Sequence, residues 1–390
     1  MTDLLIAGGG PAGAALAVFA GRAGYSVSLF EAARFPREKP CGEGVMPSGV
    51  GVLERLGLAG AVGGRPLHGV RYHGFGVVAE TGFPCPRGPV SAGVPAAHGL
   101  GQRRFVLDDA LLRAARATPN VQVVEGAAVQ GVARRAGRAA GLIVDGQAIS
   151  GRLIVGADGY RSGVRTALDL DAPAPRHRRW GARVHFRLAP ERALPPDAFI
   201  EVFVGAGHEL YLTPLPAGEV LVAALSARSY PPRATPADDG KVMALAAEHP
   251  ALMERLRGAT LVSPVRGRSP LACRARAGVA PGAVLLGDAA GFIDPITGGG
   301  IAQALLSAEL LARFLPRILT ECDRGDNEWL WRFDRRRRAM LRDYQWLTAG
   351  LLLTTRSPGL ARATLHLMRA RPGMLGHLVG VAAGLRHLTS

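Results

Sequence analysis

Gly8, Gly10 and Gly13 fall at the G-x-G-x-x-G spacing, after an apolar run at residues 4–7 and before an alanine-rich pattern at 14–21. A second apolar run at 25–30 ends in Glu31. Strand, turn, helix, strand and acid in that register bind a dinucleotide. Gly8 allows the tight turn, Gly10 lets the backbone reach a pyrophosphate, and Gly13 lets helix and strand pack closely. The helix start adds free N–H groups and a positive dipole end for the phosphates. Glu31 can accept both hydroxyls of an adenosine ribose.

Beyond this unit no acid–base pair stands out. Arg183 and His185 are two apart in an alternating segment, so they share one face of a strand. Tyr211 belongs to another strand. Each could orient a substrate or move a proton, or could be a satisfied sheet residue. Cys41 lies in a Pro- and Gly-rich loop, where it could donate a proton or simply pack. Cys41, Cys85, Cys273 and Cys322 are far apart with no C-x-x-C pair. That pattern argues against a metal site and fits a reducing cytoplasm.

The elements that must position these residues arrive in pieces. Pro36, Pro40 and Pro47 break any helix after Glu31, and Ser48 is the expected cap of a helix at 49–56. Residues 65–99 mix Gly, Pro and aromatics with short strands. A helix follows Arg104, with Asp108 and Asp109 expected in its first turn. Residues 121–125 read as a strand and 131–145 as a hairpin. Residues 153–156 run into a second nucleotide-facing turn. Between 178 and 226 the pattern alternates with period two, an antiparallel sheet. Residues 238–256 read as one helix and 283–287 as a buried strand. The rest, from 300 to about 385, is helical with breaks at Pro358 and Pro372. The expected fold is α/β with an α+β second domain. A Rossmann-like domain is built from 1–70, 100–175 and 274–345, an antiparallel-sheet substrate domain from 71–99 and 176–273, and a C-terminal helical segment from 346–390.

The 390-residue chain is ordinary in apolar content but carries 47 Lys+Arg against 31 Asp+Glu, a net +16. Such a balance suits an anionic partner: nucleic acid, an acidic membrane surface or a phosphorylated cofactor. A coding bias toward Arg would produce the same excess. No base-reading or base-stacking module is visible, so nucleic acid is not expected. The longest apolar stretches fall short of the ~20 residues a spanning helix needs, and the first apolar run is already a strand rather than a signal peptide. A cytoplasmic protein is expected, with peripheral membrane contact open.

Three further stretches carry a resemblance. They are Arg104-Phe-Val-Leu-Asp108, Gly156-Ala-Asp-Gly-Tyr-Arg-Ser-Gly-Val-Arg165, and Gly287-Asp-Ala-Ala-Gly-Phe-Ile-Asp-Pro-Ile-Thr-Gly-Gly-Gly-Ile301. With the first glycine turn, the chain over roughly 1–345 resembles the p-hydroxybenzoate-hydroxylase-like FAD superfamily of aromatic hydroxylases, geranylgeranyl reductases and flavin halogenases. The resemblance implies FAD, with NAD(P)H as transient electron donor. It assigns cofactor contacts to Gly8, Gly10, Pro11, Ala12, Gly13, Glu31 and Ala32, and to Cys41 and Gly42 in the loop. Arg104 would reach the ribityl or pyrophosphate portion and Asp288 a ribityl hydroxyl. Asp158 would help hold FAD or touch NAD(P)H, or would cap the helix that follows it. Gly287, Pro295, Gly298, Gly299, Gly300 and Ile301 would surround the flavin, the last helix start facing its N1–C2=O edge.

Lys39-Pro-Cys-Gly-Glu-Gly44 and Gly287-Asp-Ala-Ala-Gly291 are similar to geranylgeranyl reductases, whereas most aromatic hydroxylases have His where Gly291 stands. The reductases' Y-x-W-x-F-P stretch is missing, Tyr211-Leu-Thr-Pro214 being its nearest counterpart. The halogenase W-x-W-x-I-P motif is absent from its place, and Trp329-Leu-Trp331 reads as helix packing. The expected function is an FAD-dependent monooxygenase acting on a lipophilic phenolic, polyketide or isoprenoid-derived molecule. A geranylgeranyl-reductase-like enzyme is the alternative, and a non-catalytic, membrane-associated flavin-binding protein a third.

Overall fold

The computed structural model describes residues 1–85, 97–173, 179–228 and 239–388. Parts of the expected domain segments, at 86–96, 174–178, 229–238 and 389–390, lie outside the described residues.

The chain opens with β1 (Thr2–Ala7), α1 (Pro11–Arg22) and β2 (Val27–Glu31). Short pieces follow: β3 (Gly44–Val45), α2 (Pro47–Arg55), α3 (Ala59–Val62) and β4 (Arg65–Leu67). The hairpin β5 (Gly69–Gly74) and β6 (Val77–Gly82) leads to β7 (Gly99–Gly101), α4 (Arg104–Ala117) and β8 (Val121–Glu125). Then come β9 (Val129–Arg135), β10 (Arg138–Val144), β11 (Gln147–Gly156) and α5 (Gly163–Ala167). β1, β2, β8 and β11 pair in parallel, in the order β11-β1-β2-β8. Leu4 to Ala7 and the whole of β2 are buried because both sheet faces are covered, the condition under which parallel sheets form.

The second sheet is β12 (Trp180–Arg187), β13 (Ile200–Gly205), β14 (His208–Pro214) and β15 (Glu219–Ser226) with β5 and β6 from far upstream. α6 (Asp239–Ala247) and α7 (Pro250–Arg255) cover one face. β16 (Thr260–Leu261) and β17 (Arg266–Arg268) pair with β12 at the edge. β18 (Val279–Ala280) and β19 (Ala283–Leu285) return to the first sheet, β19 parallel to β11. Four helices finish the chain: α8 (Gly300–Arg324), α9 (Glu328–Thr354), α10 (Pro358–Ala370) and α11 (Pro372–Ala382).

Several local expectations are corrected. α2 begins at Pro47, with Met46 in the cap position and no side-chain cap, so Ser48 is inside the helix. Proline suits a first helical turn, where its missing N–H has no partner to lose. Arg104 is the first residue of α4, which puts Asp108 in the second turn, facing it. The expected helix at 238–256 is two helices, because Pro250 starts α7 after extended His249. The line drawn at 345/346 falls inside α9, and the line at 70/71 falls inside β5.

Candidate active site

A groove begins at the end of β1. Gly8 takes φ of 100°, and a Cβ there would sit 2.4 Å from the Ala157 carbonyl oxygen. A Cβ on Gly13 would lie 1.9 Å from the Gly8 oxygen, so α1 packs on the turn only because that side chain is absent. Gly10 differs. Its Cβ would meet nothing closer than an Arg37 nitrogen at 3.8 Å, so the space beside it is open. Gly10 also starts α1 without a side-chain cap, leaving helix N–H groups for an anion. Glu31 ends β2 beside this turn, accepting from the N–H of Gly9 at 2.7 Å and of Ala33 at 2.9 Å.

Charges deepen the groove. Arg104 forks onto Asp108 at 2.8 and 2.7 Å, both buried. Burial alone would lower the guanidinium's proton affinity, but Asp108 and Cys41 outweigh it and hold Arg104 above the ordinary arginine range. Arg37 reaches Asp108 at 3.1 Å. Lys39 is half-buried on the groove wall and makes no ion pair among the described residues. Desolvation pulls its ammonium below the ordinary lysine range, with Asp288 partly offsetting. A desolvated cation beside an uncapped helix start accommodates a pyrophosphate, so the residues present fit the flavin dinucleotide.

The loop at residues 294–299 is clamped from two sides. Asp294 accepts from Ile296 N–H at 3.0 Å and from Arg179 at 2.9 Å, and Arg179 also pairs with Glu209 of β14 at 2.5 Å. Tyr211 donates to the Ile296 carbonyl at 2.9 Å. From the other side Tyr344 of α9 accepts from Gly299 N–H at 3.1 Å. Gly299 caps α8 with no side-chain bond, so a 25-residue helix points its positive end at this loop and favours negative charge there. Burial pushes Glu209 up to about 7, with Arg179 opposing, and pushes Tyr211 well above the ordinary tyrosine value.

Groove and clamped loop open into one cavity whose wall is the second sheet. Its polarity runs across the strand order. At the β12–β17 edge stand Arg183, Arg266 and Arg268; toward β13 and β5 stand Ile200, Val202, Val70 and Tyr72. Beyond them Met368 of α10 and Leu375, Leu378 and Val379 of α11 close the apolar end. Arg268 lies over the Tyr160 ring at 3.7 Å and forms no ion pair among the described residues. Desolvation lowers its proton affinity despite the pull of Asp288.

The structure brings most of the expected residues to this cavity. Gly10, Pro11, Ala12, Cys41, Gly42, Arg104, Gly287, Asp288, Pro295, Gly298, Gly300 and Ile301 line it, with Arg183 and Tyr211. Gly8 and Gly13 lie beneath the turn, and Ala32 is exposed past the end of β2. Asp158 accepts from the Ser162 hydroxyl at 2.5 Å and from Val164 N–H at 3.1 Å, the capping arrangement for α5, while its neighbours Ala157 and Gly159 face the cavity. His185 is fully buried. Its Nδ1 lies 2.7 Å from the Ser263 hydroxyl, 3.0 Å from Arg183 and 3.2 Å from Arg103. Its Nε2 meets the Glu43 carboxylate at 2.7 Å. Trp329 packs against Phe314 between Arg317 and Arg332, whereas Trp331 is exposed.

Glu43 and Lys39 are the functional candidates sequence reasoning passed over. Glu43 has φ of 56°, is completely buried, lines the cavity, and accepts from Arg104 N–H at 3.1 Å as well as from His185. In sequence it is an acid between two glycines, which fits a solvated turn equally well, inside the Lys39–Gly44 stretch similar to geranylgeranyl reductases.

The profile of the FAD binding domain family spans residues 1–344. The chain belongs to this FAD-binding family. It is an FAD-dependent oxidoreductase, which sets aside the reading of a flavin-binding protein without turnover. The flavoenzyme is 32% identical over 326 residues to a menaquinone reductase of Mycolicibacterium smegmatis, covering 80% of this chain and 76% of that one. It is 29% identical over 328 residues to squalene epoxidase erg1 of Aspergillus fumigatus, covering 80% and 66%. In fold it is similar to the crystal structure of a flavoprotein/dehydrogenase from Cytophaga hutchinsonii, at TM-score 0.80 and 21% identity, over 98% and 92% of the two chains.

Proposed function

We propose that the enzyme is an NAD(P)H-dependent monooxygenase that hydroxylates a phenolic ring carrying a long hydrocarbon tail. The observation that carries the reading is the graded cavity: arginines at the β12–β17 edge, aliphatic side chains and the Tyr72 ring at the β5 edge, and the flavin-edge loop against Tyr211 between them. An acidic ring would lie toward Arg268, whose desolvated charge has no carboxylate partner among the described residues. A phenolate is also the electron-rich form that oxygen insertion at ring carbon needs. Isolated double bonds in a tail call for no such cation. When bound, FAD supplies two-electron transfer and, with O2, an activated oxygen atom. The chain's part is to hold the ring, exclude water with α9 to α11, and set the charge at the flavin edge through α8.

A second reading, saturation of a double bond in an isoprenoid tail, is favoured by the likeness to mycobacterial menaquinone reductases and by Cys41 on the cavity wall beside Arg104. One experiment separates the two. FAD-loaded enzyme is given NADH or NADPH and a long-chain alkylphenol under isotopically heavy oxygen gas. Hydroxylation yields a product one heavy oxygen atom heavier, with oxygen uptake matching cofactor oxidation. If instead the dithionite-reduced enzyme under nitrogen adds two hydrogens to a prenylated quinone, and oxygen uptake never couples to the phenol, the monooxygenase reading fails.

A further inference from the structure

The inner sides of α9, α10 and α11 line the cavity; the outer sides of α9 and α10 carry exposed apolar residues. On α9 Trp346 is 67% and Leu353 50% exposed, with Ala349 and Gly350 exposed between them. On α10 Leu360 is 53% and Leu367 50% exposed, with Ala363 and Ala370. Steps of three and four residues keep each set on one face of its helix. Exposed arginines border these stripes: Arg356, Arg362, Arg369 and Arg371. From Tyr344 to the end of the chain the sequence contains no Asp or Glu at all. No helix among the described residues is long and apolar enough to cross a membrane.

We infer that the outer face of α9 and α10 docks on an anionic phospholipid surface, through which the substrate's tail passes to the cavity. An apolar stripe rimmed by arginines is the pattern of a helix lying in the interface, leucines in the acyl boundary and guanidinium groups at the phosphates. Charge decides against the simplest competitor. A second copy would bring the same cationic rim, on a chain already at +16. An anionic membrane matches both parts of the face. Leu347 and Leu351 of α9 and Met368 of α10 line the cavity on the inner sides of the same two helices. A tail leaving the bilayer therefore crosses one helical layer. Docking stands by itself, whereas the passage of the tail rests on the proposed substrate.

The test uses the full-length, FAD-loaded protein with vesicles of phosphatidylcholine alone or mixed with phosphatidylglycerol. Co-sedimentation is expected with the mixed vesicles, weak with the neutral ones, and reduced by salt. Leu353→Ser/Leu360→Ser/Leu367→Ser should lower partitioning at least about tenfold, with flavin absorbance and melting temperature unchanged. Each of Arg356→Gln, Arg362→Gln and Arg369→Gln should lower it roughly fivefold. The inference is overturned if the wild type stays in the supernatant with anionic vesicles. It is equally overturned if the leucine variant binds as before, or if the wild type sediments as a dimer that the leucine changes dissolve. Vesicle binding without phenol hydroxylation would sink the functional reading alone. Turnover of detergent-dispersed substrate without vesicle binding would sink this inference alone.

Discussion

Gly10 and Gly13 look alike in the motif yet do different work. The space at Gly13 is filled by the Gly8 carbonyl, and the space at Gly10 is open. Gly10→Ala is therefore expected to fold with a melting temperature close to wild type but to lose FAD, because its methyl group occupies the pyrophosphate's approach. Gly13→Ala should lose both, since a contact of 1.9 Å must push α1 off β1. Flavin absorbance after purification and a thermal melt of the apoprotein check the pair. A Gly10→Ala protein that holds FAD as the wild type does would show that the cofactor does not use this turn.

Among the elements, the packing of α7 and the chain before it on the second sheet carries a titratable contact. His208 of β14 and His249 before α7 meet Nε2 to Nε2 at 2.9 Å, with the Phe203 ring against His249. Burial first, then the neighbouring His208, pushes His249 down to about 4 from 6.5. Above 6.5 the folded and unfolded chains are both neutral here and the contribution to stability is full. As pH falls toward 4 the unfolded chain takes up the proton first, so the folded state loses stability across that window. The melting temperature should fall from pH 6.5 to 4, and His249→Asn should flatten the decline. An equally steep decline in the variant would place the sensitivity elsewhere.

At the scale of the whole molecule, the cavity exists only because the first sheet, the second sheet and the C-terminal helices meet. Its apolar end is lined by α10 and α11, far along the chain from the cofactor turn. Leu378→Arg puts a cation in that end without touching the glycine turns. The expected result is unchanged FAD content and a kcat/KM for a long-tailed substrate reduced at least about tenfold, the cost of leaving that charge against hydrocarbon. A short-tailed phenol should be little affected. Equal losses for both would mean that the tail does not lie along α11.

What the residues determined unaided is the nucleotide half: strand, glycine turn, helix and acid are contiguous, and their spacing is the geometry. The helix start at Gly10 belongs to that unit, whereas the helix start at Gly299 was expected only through the family resemblance. Folding decided what depends on residues far apart in the chain. Glu43 gains meaning only when Arg104 and His185 close on it, and Lys39 only when a groove desolvates it. Arg179 becomes a clamp once Asp294 and Glu209 meet on either side. The polarity of the cavity was hidden for the same reason. It follows the order of strands across a sheet, which places β5 beside β13, and neither composition nor periodicity encodes which strands become neighbours.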